Sequence, residues 1–137
     1  MSIVQTQTTS FKAELYQAIH NLLTDTLKIA LYTANADLNS ATTVYSPTNE
    51  VTGPGYLAGG VQLTGVSINT SGYTAYVNFN NVNFNASVTA RCALIYNASK
   101  ANRSIAVLDF GSDKTSTTTF TVQMPANTST SALIRTN

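Results

Sequence analysis

The chain has 137 residues, which is room for one domain around one hydrophobic core and not for two. Seven Lys and Arg face six Asp and Glu, so only 9% of residues are charged against roughly 25% in an ordinary soluble domain, and Thr, Ser and Asn carry the polar character instead. The net charge of +1 and the scattered placing of Lys12, Lys28, Arg91, Lys100, Arg103, Lys114 and Arg135 give no stripe that could neutralise successive phosphates, so neither nucleic acid nor a membrane is an expected partner.

Residues 1–9 are polar and β-branched with no periodic pattern. They read as an arm, either disordered or laid against a neighbour, ahead of a single domain at 10–137. The arm has no basic start and no long apolar run, so no secretory signal is expected. Phe11, Leu15, Ala18, Ile19, Leu22 and Leu23 then recur at helical spacing. Thr9 or Ser10 can cap this amphipathic helix, and it is expected to end near Thr24, before the unfavourable charge of Asp25.

Beyond the helix the period becomes two. Leu27, Ile29 and Leu31 alternate with Lys28, Ala30 and Tyr32, which predicts a half-buried strand. Residues 33–43 read as a loop, and Val44-Tyr45 as a short strand. The stretch 50–60 holds four of the seven glycines, where backbone turns sharply or closely approaches another chain. Strands follow at 61–69 and 73–79, joined by a hairpin turn at Thr70-Ser-Gly72.

At Asn80-Asn81 the alternation slips by one, as a bulge or turn would make it, and Val82 and Phe84 resume on the other parity. Thr89 to Tyr96 is nearly all apolar and reads as a central strand buried on both faces. Further strands are expected at 104–110, at 116–124 before Pro125, and at 132–134. About eight short strands after one helix predict a mainly β fold, closed as a β-sandwich or jelly roll.

Few residues of the chain could carry chemistry. His20 is the lone histidine and Cys92 the lone cysteine, too few for a zinc site, and no disulfide can form within the chain. His20 reads as a packed or exposed helix residue, and Cys92 as a small buried hydrophobe. Asp109 and Asp113 flank Gly111, which suggests a turn rather than a catalytic carboxylate pair. Tyr73 and Tyr76 fall on opposite strand faces, so one points outward, towards a protein or a sugar. Five Asn-x-Ser sites, at Asn69, Asn85, Asn97, Asn102 and Asn127, follow from an Asn- and Ser-rich composition. No enzyme activity, cofactor or metal is expected.

The order Phe11-Lys-Ala-Glu-Leu15, Leu27-Lys-Ile-Ala-Leu31, Glu50-Val-Thr-Gly-Pro-Gly-Tyr56, Gly59-Gly60, Arg91 to Tyr96, Leu108-Asp-Phe-Gly111 and Phe120-Thr-Val122 resembles a family of small structural proteins of tailed bacteriophages. It is also similar to the jelly-roll cement proteins that clamp capsid subunits. The resemblance spans about residues 11–125. It implies a virion protein made in the host cytoplasm and placed on the capsid surface. Its partners would be the major capsid protein and further copies of itself, as dimer or trimer. A tail or fibre component touching neighbours or a host glycan is the alternative. Ile3, Val4 and Gln5 of the arm, with Gly53, Pro54, Gly55, Tyr56, Gly59 and Gly60 of the glycine-rich loop, are the expected interface.

Overall fold

The computed structural model describes residues 2–136, so Met1 of the arm and the last residue of the domain lie outside it. The elements are β1 (Thr6–Gln7), α1 (Thr9–Tyr16), β2 (Leu27–Tyr32), β3 (Val61–Gln62), β4 (Ser67–Ser71), β5 (Thr74–Asn78), β6 (Val82–Phe84), β7 (Thr89–Asn97), β8 (Arg103–Thr115), β9 (Phe120–Val122) and β10 (Ile134–Thr136). The fold is mainly β, with one short N-terminal helix. Its sheets are antiparallel: five strands in the order β1-β8-β7-β2-β3, three in the order β10-β5-β4, and the pair β6-β9. No helix among the described residues is long and apolar enough to cross a membrane.

β7 is the middle strand of the large sheet, as its unbroken apolar run predicts. Ala93 and Ile95 point to one face, Cys92, Leu94 and Tyr96 to the other, and all five are buried. The first face meets Phe11 of α1, Val77 and Ile134 of the three-stranded sheet, and Val82, Phe84, Phe120 and Val122 of the pair. The second is covered by Ile3, Ala36, Leu38 and Tyr45 from the N-terminal segment and the loop after β2. β2 is therefore buried on both sides, with Ala30 and Tyr32 facing one cluster and Ile29 and Leu31 the other. The half-buried strand expected there is corrected: the polar loop folds back over its outer face.

The helix is half the expected length. Thr8, not Thr9 or Ser10, is its N-cap, and the Thr8 side chain accepts from the Phe11 N–H at 3.3 Å. At the other end Ala18 N–H bonds to Leu15 C=O and Ile19 N–H to Glu14 C=O, both at 3.1 Å, with Ala18 left-handed at φ 58°. This pattern is a Schellman closure, here built without the usual glycine. Leu22 reaches the core from the turns that follow, while Leu23 is exposed.

β8 also departs from expectation. It runs through Gly111 to Thr115, so Asp109 and Asp113 lie along one strand and not around a turn. The register against β7 jumps between Ala90 and Cys92, and Gly111 sits in the resulting bulge at φ 84°. A second irregularity, near Ile105, turns both Ile105 and Ala106 towards the main core. β9 is shorter than the 116–124 expected, and Val44 makes a single bridge to Arg103 in place of a strand.

Candidate interaction surface

The arm lies on its own domain. Ile3 bridges Leu38, Val4 N–H donates to Leu38 C=O at 3.0 Å, and Gln5 Oε1 accepts from Asp109 N–H at 3.0 Å. Thr6 and Gln7 add an edge strand to β8. Thr8 is fully buried and takes a hydrogen bond from Ser104 Oγ at 2.9 Å. Ile3 is half-buried, whereas the side chains of Val4 and Gln5 are exposed.

The glycine-rich loop is tied down by one carboxylate. Glu50 Oε1 accepts from Tyr45 OH at 2.6 Å, and Oε2 accepts from Tyr56 OH at 2.5 Å and Gly59 N–H at 2.8 Å. Tyr56 OH in turn accepts from Leu31 N–H at 3.0 Å, which fixes the loop to β2. Tyr96 OH donates to Gly59 C=O at 2.6 Å, and its ring stacks on Tyr45 at 4.7 Å. Burial, then the Glu50 carboxylate, raises the pKa of both Tyr45 and Tyr56, so these phenols stay protonated and donating.

The close approaches within this loop are to the chain's own β2 and to the connection between β6 and β7. A Cβ on Gly60 would stand 1.8 Å from Ile29 C=O, and Gly60 has φ 80°, so glycine is required there twice over. Gly53 and Gly55 press equally on the backbone of Ser87 and Asn85, and Pro54 C=O accepts from Ser87 N–H at 2.9 Å. Gly59 is buried. Outward from the loop stand Pro54, Gly55 and, above all, Leu57, which is 77% exposed.

The residues weighed for chemistry are engaged elsewhere. His20 lies beyond the helix with its side chain fully buried, and its ring packs on Phe11 at 5.0 Å. Asn97 Nδ2 sits 3.0 Å from His20 Nδ1 and also donates to Asp25 Oδ2 at 2.7 Å, while Asn97 Oδ1 accepts from Ser99 N–H. That amide can only donate, so His20 Nδ1 accepts and Nε2 holds the proton given to Glu14 Oε1 at 2.8 Å. Both ring nitrogens are thus used inside the fold. Lys100 reaches Asp25 at 2.9 Å. Burial of Asp25 works against its ionisation, but hydrogen bonds from Asn97, the Asn21 N–H and Lys100 outweigh it and hold the pKa down at about 2. Cys92 is fully buried, and desolvation pushes its thiol up to about 12, far from a reactive thiolate. Asp109 pairs with Arg91 across the bulge.

What composition alone conceals is where the charges are missing. Residues 51–90 and 115–134 contain no Asp, Glu, Lys, Arg or His. Those two stretches build β3, β4, β5, β6 and β9, so the two smaller sheets carry one charged residue among them, Arg135 of β10. The other charges sit on or beside α1, β2, β7 and β8. On the uncharged side Tyr73, at the tip of the β4–β5 hairpin, is 99% exposed, and Ile68 of β4 is 47% exposed. Tyr73, not the half-buried Tyr76, is thus the outward tyrosine.

No protein-family model matches this chain, and neither a curated protein nor a solved structure is found to be similar to it.

Proposed function

We propose that this chain is a structural protein of a bacteriophage virion, a cement or decoration protein that binds and stabilises the shell of the major capsid protein. The observation that carries this reading is the segregation of charge: the β4–β5 hairpin and the β6-β9 pair are bare of charged side chains, and the hairpin exposes Ile68 and Tyr73. Depletion of charge with retention of aromatic and aliphatic groups is how the core of a protein–protein contact differs from ordinary surface. The motifs along residues 11–125 that resemble small phage structural proteins support the same reading, and a β-sandwich of jelly-roll type is the finer fold that this reading proposes. In this reading the protein has no catalytic role, and Ile3, Val4, Gln5, Pro54, Gly55 and Leu57 extend the contact surface.

The test is to add the purified chain to heads of the phage that encodes it, prepared without it. Saturable co-sedimentation, with added density on the capsid exterior and greater resistance of the heads to heat, is expected. Heads that bind none of it contradict the reading. A tail or fibre position is the second reading, favoured by the bare ring of Tyr73 and by the exposed Tyr16. Density at the tail, with a glycan-binding signal lost in Tyr73→Ala, would establish that instead.

A further inference from the structure

β4 is the longest edge strand among the described residues, because β1 and β3 have two residues each and β6, β9 and β10 three. Natural proteins guard such edges with Lys, Pro, bulges or covering loops. Ser67-Ile-Asn-Thr-Ser71 contains none of the guarding side chains and pairs with β5 in unbroken register from Ser67↔Asn78 to Ser71↔Thr74. The two-residue loop Gly72-Tyr73, with φ 57° at Gly72 alone, makes Ser71 and Thr74 the closing hydrogen-bonded pair. Alternation along the strand then aims the N–H and C=O of Ile68 and Thr70 away from β5. No backbone partner for them is found among the described residues. Ile68 shares the face of buried Val77, its register partner, yet stays 47% exposed.

We propose that this edge pairs with the β4 strand of a second copy of this chain, antiparallel about a twofold axis at Asn69. That register sets Ile68 against the copy's Thr70, and Thr70 against the copy's Ile68, so all the outward groups are used in reciprocal pairs. It also lays both side chains on the core face, where each covers the other. The same register carries Tyr73 past Val66 and Gly65 of the copy. Twofold pairing brings the groups nearest the axis close to their own images, and a strand without charges is the kind that tolerates this. A partner of opposite charge has nothing here to recognise, since residues 51–90 carry none.

The proposal rests on reading the uncharged side as a contact surface, but not on the capsid as the thing contacted. It is tested by analytical ultracentrifugation of the full chain over a concentration series, with Ile68→Lys and Thr70→Pro as variants. Lys at 68 adds a charge to an exposed site, and Pro at 70 removes only an outward N–H, so circular dichroism should show both still folded. The wild-type chain is expected to pass from monomer to dimer, and each variant to weaken dimerisation by about tenfold or more. A chain that stays monomeric at every concentration overturns the proposal, and so does a dimer that either folded variant leaves intact. A monomer that still saturates phage heads would remove the dimer while leaving the capsid reading in place. A dimer that ignores heads would do the reverse.

Discussion

At the residue scale the fold depends on a few half-buried polar groups that tie its loops to the strands of the large sheet. Glu50 joins Tyr45, Tyr56 and Gly59 and so holds the glycine-rich loop against β2. Glutamine can keep this arrangement by placing its oxygen towards Tyr56 and Gly59 and its amide towards Tyr45, whose hydroxyl turns to accept. Glu50→Gln should therefore cost about 1 kcal/mol, the difference between charged and neutral acceptors, whereas Glu50→Ala leaves the phenols and the Gly59 N–H unmatched and should cost about 3 kcal/mol. Urea unfolding of the two variants measures the difference. Asp25 gives a pH signature. Its pKa is held at about 2 in the fold against an ordinary 3.8, so the stability it contributes is complete above the higher value and is lost as pH falls through the lower. The gap in melting temperature between wild type and Asp25→Asn should narrow as pH falls from about 4 to about 2. A constant gap would mean that Asp25 is not held in this way. None of these ties was legible in the sequence: Tyr45, Glu50 and Tyr56 are close along the chain but follow no regular period, and Leu31 and Tyr96 join them only through β2 and β7.

At the element scale, what could be read was the strands with a clear apolar run or alternation, and what could not was where elements stop and that a loop covers the outer face of β2. β7 announced itself as a continuous apolar run, and β5 by strict alternation up to Phe79. The helix misled because its apolar spacing continues past the Schellman closure at Ala18, and alanine does not advertise a left-handed position. Since Ala18 is exposed and strained at φ 58°, Ala18→Gly should stabilise the protein by roughly 0.5–1 kcal/mol, visible as a raised melting temperature. Gly111 misled in the opposite sense, since a lone glycine between two aspartates serves a bulge as readily as a turn. The arm needs a sharper boundary as well. Removing residues 1–9 would delete β1 and the Thr8 cap together, whereas removing only residues 1–5 leaves Thr6–Thr8 in place. The shorter truncation should stay folded and bind phage heads more weakly, because it takes away exposed Val4 and Gln5. A truncated chain that binds as the full chain does would remove the arm from the contact surface.

At the scale of the whole molecule, low charge was visible at once, but its meaning lay in its distribution. Taken as a percentage it fits any neutral β domain. Placed on the elements, it gathers the charges on or beside α1, β2, β7 and β8 and leaves residues 51–90 and 115–134, which build most of the two smaller sheets, to Thr, Ser, Asn, Leu and Tyr. The two charge-free stretches are continuous in sequence and could have been found there. Only the strand pairing shows that they come together in the two smaller sheets. In the proposed assembly the uncharged sheets are the surface that neighbours cover. A cryo-EM map of the assembled particle tests that most directly: it should show the β4–β5 hairpin and the β6-β9 pair facing other subunits, with α1 and the Arg91–Asp109 side turned to solvent. The reverse orientation, with the uncharged sheets bathed in solvent and the charged side docked, would contradict it.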